Sequence, residues 1–133
     1  MGKMWTVADT PMASGNASSG IFSVGCDGNK VFAVGGDYKD PDRSSGTAAY
    51  SLDRGTTWHL ASDMPGGYRS AITRIGGPSL VAVGPNGEDS SEDYGAHWTR
   101  SGSFGLNAIF FTSKNKAWAV GAKGSIARLD IPR

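Results

Sequence analysis

An eight-residue pattern occurs twice, as Ser51-Leu52-Asp53-Arg54-Gly55-Thr56-Thr57-Trp58 and Ser91-Glu92-Asp93-Tyr94-Gly95-Ala96-His97-Trp98, with its two aspartates 40 residues apart. Both copies read S-x-D-x-G-x-x-W. A fixed period constrains architecture more than any single motif, and about 40 residues is the length of one four-stranded propeller blade. A second signal keeps step with it: apolar runs end in a Val-Gly pair at Val34-Gly35, Val83-Gly84 and Val120-Gly121. The third Val-Gly pair predicts a third blade equivalent within the 133 residues.

Runs of β-branched and aromatic residues between turn residues predict twelve strands. They cover 4–8, 20–25, 30–35, 46–52, 57–61, 68–75, 79–84, 88–92, 97–101, 105–112, 116–121 and 124–129. Asp27-Gly28, Asn86-Gly87 and Lys123-Gly124 supply hairpin chemistry, so neighbours in sequence pair antiparallel. Val31-Phe32-Ala33-Val34, Leu80-Val81-Ala82-Val83 and Ala117-Trp118-Ala119-Val120 are apolar at successive positions. Such runs belong to strands covered on both faces, here the middle strands of blades.

Composition agrees with an all-β chain: 20 glycines supply turns, and the length fits a single domain over 1–133. A net charge of +1 gives no electrostatic case for nucleic acid or an anionic membrane as the main partner. Cys26 is the only cysteine, which excludes an internal disulfide framework and leaves the compartment open. No apolar run approaches the roughly 20 residues of a membrane span, and no basic-then-apolar signal peptide opens the chain as given. A soluble protein is expected.

The S-x-D-x-G-x-x-W pattern resembles the Asp-box, or bacterial neuraminidase repeat, at 51–58 and 91–98. That resemblance implies propeller blades in which the box forms the turn between third and fourth strands. Residue chemistry points the same way: an Asp accepts turn amides, Gly supplies backbone freedom and Trp anchors the hairpin. Asp-boxes occur in sialidases, two-propeller xyloglucanases, sortilin-type receptors and photosystem II assembly factor-like propellers. The chain is most similar to the last group, through Gly35-Gly36-Asp37-Tyr38, Gly67-Tyr68-Arg69-Ser70-Ala71, Ala82-Val83-Gly84-Pro85, Ala117-Trp118-Ala119-Val120-Gly121 and Gly124-Ser125-Ile126-Ala127-Arg128-Leu129. The resemblance implies a non-catalytic, protein-binding or assembly scaffold without a cofactor. Its rings need roughly twice as many blades as this chain supplies.

Ser51, Asp53, Gly55, Trp58, Ser91, Asp93, Gly95 and Trp98 are therefore expected to be structural rather than catalytic or metal-binding. Glu88, Asp89, Glu92 and Asp93 form an acidic cluster without the alternation and glycine of a calcium loop, which suits a solvated edge strand. His59 and His97 lack partner spacing for zinc or a catalytic triad. Trp5, Trp58, Trp98 and Trp118 are expected as core anchors rather than sugar platforms. The carbohydrate-active alternative resembles sialidases, which use three arginines, a Tyr with its Glu, and an Asp over six blades. Only the Tyr68-Arg69 pair stands where such a site would need it.

Placing the boxes on one face puts the opposite loops on the other: the polar insertion from Asp37 to Arg43, the loop near Asn86, the Asp63 to Tyr68 connection and Ser101 to Gly105. Candidate ligand-binding residues are Tyr38, Lys39, Arg43, Tyr68 and Arg69. Three blades make an open arc, whereas propellers close with about 4–8. A second copy is the expected partner, giving a six-bladed ring in which residues 4–8, carrying Trp5, complete the other copy's last blade.

Overall fold

The computed structural model describes residues 4–112 and 115–130. Among these, eleven strands form three antiparallel sheets. Sheet 1 holds β1 (Ser19–Asp27), β2 (Lys30–Asp37), β3 (Ala48–Ser51) and β4 (His59–Leu60). Sheet 2 holds β5 (Ala71–Gly76), β6 (Ser79–Gly84), β7 (Gly87–Ser91) and β8 (Thr99–Gly102). Sheet 3 holds β9 (Ala108–Thr112), β10 (Lys116–Val120) and β11 (Ile126–Asp130). Within each sheet the strands pair in sequence order, so each is a meander. No helix among the described residues is long and apolar enough to cross a membrane.

The twelfth expected strand, 4–8, is absent: residues 4–10 have no regular structure, and Met4, Trp5 and Val7 are almost fully exposed. A strand needs a partner edge to satisfy its amides, and among the described residues no sheet edge pairs with that segment. Trp5 is therefore not a core anchor within one chain. Trp118, at 43% exposure, is not one either.

The sheets stack in sequence, with sheet 2 between the other two. Phe32, Val34, Ala48 and Ala61 meet Ile72, Leu80, Ala82 and Trp98 at the first junction. Val81 and Val83 meet Leu106 and Ala119 at the second. The burial of β2 and β6 on both faces follows directly from this stacking. Only one face of β10 is covered: Ala117 and Ala119 are buried while Trp118 and Val120 point outward.

The recurring Val-Gly pair has a steric cause. A Cβ at Gly84 would overlap the Tyr68 carbonyl, one at Gly35 the Gly20 carbonyl, and one at Gly121 would lie 2.7 Å from the Gly105 carbonyl. The next residue along ties adjacent sheets together. Arg69 N–H donates to Gly35 O and Leu106 N–H to Gly84 O, both at 2.9 Å.

Candidate functional site

The two S-x-D-x-G-x-x-W turns are nearly identical in hydrogen bonding. In the first, Ser51 Oγ donates to Asp53 Oδ1 at 2.8 Å and accepts the Gly55 amide at 2.8 Å. Asp53 Oδ1 accepts the Thr57 amide, Oδ2 accepts the Thr57 hydroxyl at 2.6 Å, and the Trp58 indole donates to Gly55 O. In the second, Ser91, Asp93, Gly95, His97 and Trp98 repeat every one of these bonds, with the His97 imidazole in place of the hydroxyl. The left-handed backbone falls at Arg54 and Gly55, then at Tyr94 and Gly95.

Electrostatics follow the same geometry. The Thr57 hydroxyl and amide, helped by Ser51, hold the Asp53 carboxyl down at about 2. Burial pulls Asp93 upward, but bonds from the His97 ring and amide and from Ser91 outweigh it and leave the carboxyl below its ordinary value. The same contact raises His97 above its ordinary value, against a smaller opposing effect of burial. Every polar atom of these carboxylates is engaged by its own turn, which leaves an anchor rather than a reagent. Trp98 is 5% exposed within the first junction, whereas Trp58 is only half-buried, against Met12, Ala33 and Ala49.

The acidic cluster separates into distinct roles. Glu88 and Asp89 lie on β7, the third of four strands and not an edge, and Asp89 is buried, while Glu92 and Asp93 fall in the turn that follows. Two guanidinium nitrogens of Arg69 lie 2.7 and 2.6 Å from Asp89 Oδ2, with both residues inaccessible to solvent. Arg69 also donates to Tyr68 O and, at 2.6 Å, to Asn86 Oδ1. The amide of Asn86 in turn donates to Asp42 Oδ1 and to Pro41 O, and the Tyr68 amide donates to Pro41 O. This relay fastens the 37–46 insertion onto sheet 2.

At its other end the insertion is pinned by Asp37, which accepts from Ser18 Oγ at 2.6 Å, from Asn16 and from the Lys39 amide. Those bonds, Ser18 first, keep the carboxyl below its ordinary value. Between the two fastenings stands a cluster of three aromatic rings. Phe22 makes edge contacts with Tyr68 at 5.1 Å and Tyr38 at 6.0 Å, and the two tyrosines are 6.4 Å apart. A register shift between Ile21 and Ser23 brings Phe22 outward. Phe22 and Tyr38 are 43% and 50% exposed above the buried Tyr68, whose hydroxyl burial pushes upward in pKa.

Of the five candidate ligand-binding residues, the structure joins Tyr38 and Tyr68 in one cluster. Lys39 and Arg43 are exposed on the same insertion, with Arg43 donating to Ser45. Arg69 lies beneath the surface, its charge engaged by Asp89. The five candidates did not include Phe22, Asn86 or Asp89, the last read instead as part of a solvated acidic cluster. The bulge that turns Phe22 outward has no signature in the nine residues of β1, although Asn86 beside Tyr68-Arg69 in the expected face pointed toward the relay. Comparison with family models, curated proteins and solved structures gives no match to this chain.

Proposed function

We propose that the three sheets are blades of a β-propeller of the Asp-box kind, and that the protein is a non-catalytic scaffold binding a protein partner through the face around Tyr38. A second copy completes the ring, giving six blades from two three-sheet arcs. The observation that carries the binding role is the aromatic cluster in which Phe22 of β1 and Tyr38 of the insertion stand exposed over the buried Tyr68, with the insertion fastened at both ends. Rigid aromatic anchors give large contact area for little loss of side-chain freedom, the profile of interface hot spots. The carbohydrate-active reading has weaker support, because Arg69, the arginine best placed for a substrate carboxylate, already neutralises Asp89.

The test compares affinity capture from lysate of the source cells by the wild type, Phe22→Ser, Tyr38→Ser and Asp53→Ala. The expected result is a protein retained by the wild type and Asp53→Ala and lost with both aromatic variants. Retention centred on the Asp53 side, or sustained turnover of a fluorogenic sialoside, overturns the proposal.

A further inference from the structure

We propose that two copies of this chain associate by strand exchange: residues 4–8 of one pair with the free edge of β11 in the other, and Trp5 fills the cleft between that copy's sheets 2 and 3. The proposal rests on the blade reading above and supplies the contact that closes the ring.

The chain contains both the filled and the unfilled version of one slot. At the junction of sheets 1 and 2, Trp98 from the turn before β8 packs against Phe32 of sheet 1 and Leu80 and Ala82 of sheet 2. Counting back from the Val-Gly pairs, Leu80 and Ala82 correspond to Ala117 and Ala119. Their neighbours Ser91 and Asp89 on β7 correspond to Leu129 and Ala127 on β11. Phe32 corresponds to Val81. A tryptophan ahead of a fourth strand in sheet 3 would thus lie between Val81 and Leu129, yet no fourth strand is present among the described residues. A cleft of about 290 Å³ opens there, with Ile75, Val81 and Leu129 as its apolar lining and Glu88, Glu92 and Asp130 at its rim.

The filler is spelled out elsewhere in the same chain. Trp58 precedes the first strand of the next sheet, at Ala71, by 13 residues, and Trp98 precedes Ala108 by 10. Trp5 precedes Ser19 by 14, which gives it the same place in the period, and it is 91% exposed. No charged side chain occurs in residues 4–8, so the segment carries none into an apolar cleft. Within one chain the two parts cannot meet. Thr6 to Asp9 lie beside Arg54, Gly55 and Thr56 of sheet 1, with sheet 2 between them and β11.

A second junction shows the same vacancy. Arg69 and Leu106 follow the carbonyls that cross Gly84 and Gly121, and both are buried where sheets meet. Ile21 follows the carbonyl that crosses Gly35 in the same way, and it is 45% exposed. Exchange at both ends would cover Ile21 and the outward face of Phe110, Trp118 and Ile126 together.

Sedimentation equilibrium of the full chain tests this, with the expectation of a species at twice the 13.8 kDa chain mass. Trp5→Ala on the donor side and Ser90→Trp, which fills the cleft on the acceptor side, should each weaken association at least about tenfold by removing packing at both seams. Mixing the two variants should restore part of it, because one seam of the mixed dimer is intact. A monomer at all concentrations up to about 100 µM overturns the exchange, since mass action would have populated a stable pair. So does a dimer insensitive to both variants. In either case a cooperative thermal melt leaves the blade reading standing, and a chain without one overturns that reading instead.

Discussion

Arg69 and Asp89 meet with two guanidinium nitrogens on a single carboxylate oxygen, wholly out of water, while Asp89 also accepts the Gly66 amide at 3.2 Å through each oxygen. Pairing makes the buried charge tolerable, and removing one partner strands the other. Asp89→Ala or Arg69→Ala should cost about 3–5 kcal/mol for that reason. Denaturant melts of the two variants check the magnitude. Because Asn86 links the pair to Asp42, amide exchange at Tyr68 should accelerate in both.

The two S-x-D-x-G-x-x-W turns share hydrogen bonds but not burial, so their mutants should differ. Trp98→Ala empties a junction between two sheets and should cost about 3–5 kcal/mol. Trp58→Ala should cost distinctly less, because that indole is only partly buried, against Met12, Ala33 and Ala49 outside the junction of the sheets. Ser91→Ala removes the buried hydroxyl that accepts the Gly95 amide and donates to Asp93, an expected loss of about 1–3 kcal/mol. Equal melting temperatures for the two tryptophan variants would contradict the junction role of Trp98.

Protonation should act on the two boxes in different pH windows. Asp53, held at about 2 against an ordinary 3.8, contributes stability that is present above the ordinary value and lost as pH falls from about 4 toward 2. His97 has the opposite sign, because its partner raises it. Its contribution is present in full below 6.5 and lost as pH rises through the elevated folded value. Proton NMR should place the His97 midpoint above 6.5, and Asp93→Asn should bring it down.

The Val-Gly pairs predict a steric phenotype that does not depend on turns. Gly84→Ala forces a methyl into the Tyr68 carbonyl, part of the backbone that carries the next link between sheets. The expected result is destabilisation by more than about 1 kcal/mol, beyond what helix or strand propensity would give. Gly28→Ala, where no atom lies within 4 Å but φ is +61°, offers a comparison that isolates backbone strain from collision.

Much of the architecture was legible because it is periodic. The 40-residue spacing, the hairpin dipeptides and the unbroken apolar runs of β2 and β6 each have a local cause, and the strands they predict are present within a few residues. What could not be read depends on partners distant in sequence. Residues 4–8 carry strand-forming chemistry, but pairing needs an edge that this chain does not bring to them. Trp118 looks like its counterparts in β2 and β6, yet among the described residues no further sheet covers its side. Asp89 reads as one more surface acid until Arg69, 20 residues earlier, is found beneath the same loop. The aromatic cluster likewise needs the bulge at Phe22, a feature of register and not of composition.

The packing of Trp98 against Phe32 also sets an order of events during synthesis. All four strands of sheet 1 have been made once Leu60 has left the ribosome, but the core between sheets 1 and 2 lacks its largest member until residue 98 follows. Closing a contact of that sequence separation carries a loop-entropy cost that local hairpins do not. The side of sheet 1 that carries Phe32 and Val34 is therefore only partly covered until a tryptophan of the next sheet, 66 residues after Phe32, is made. A nascent chain stalled before Trp98 has emerged from the ribosome should be protease-sensitive along β2, and one stalled after its emergence should not.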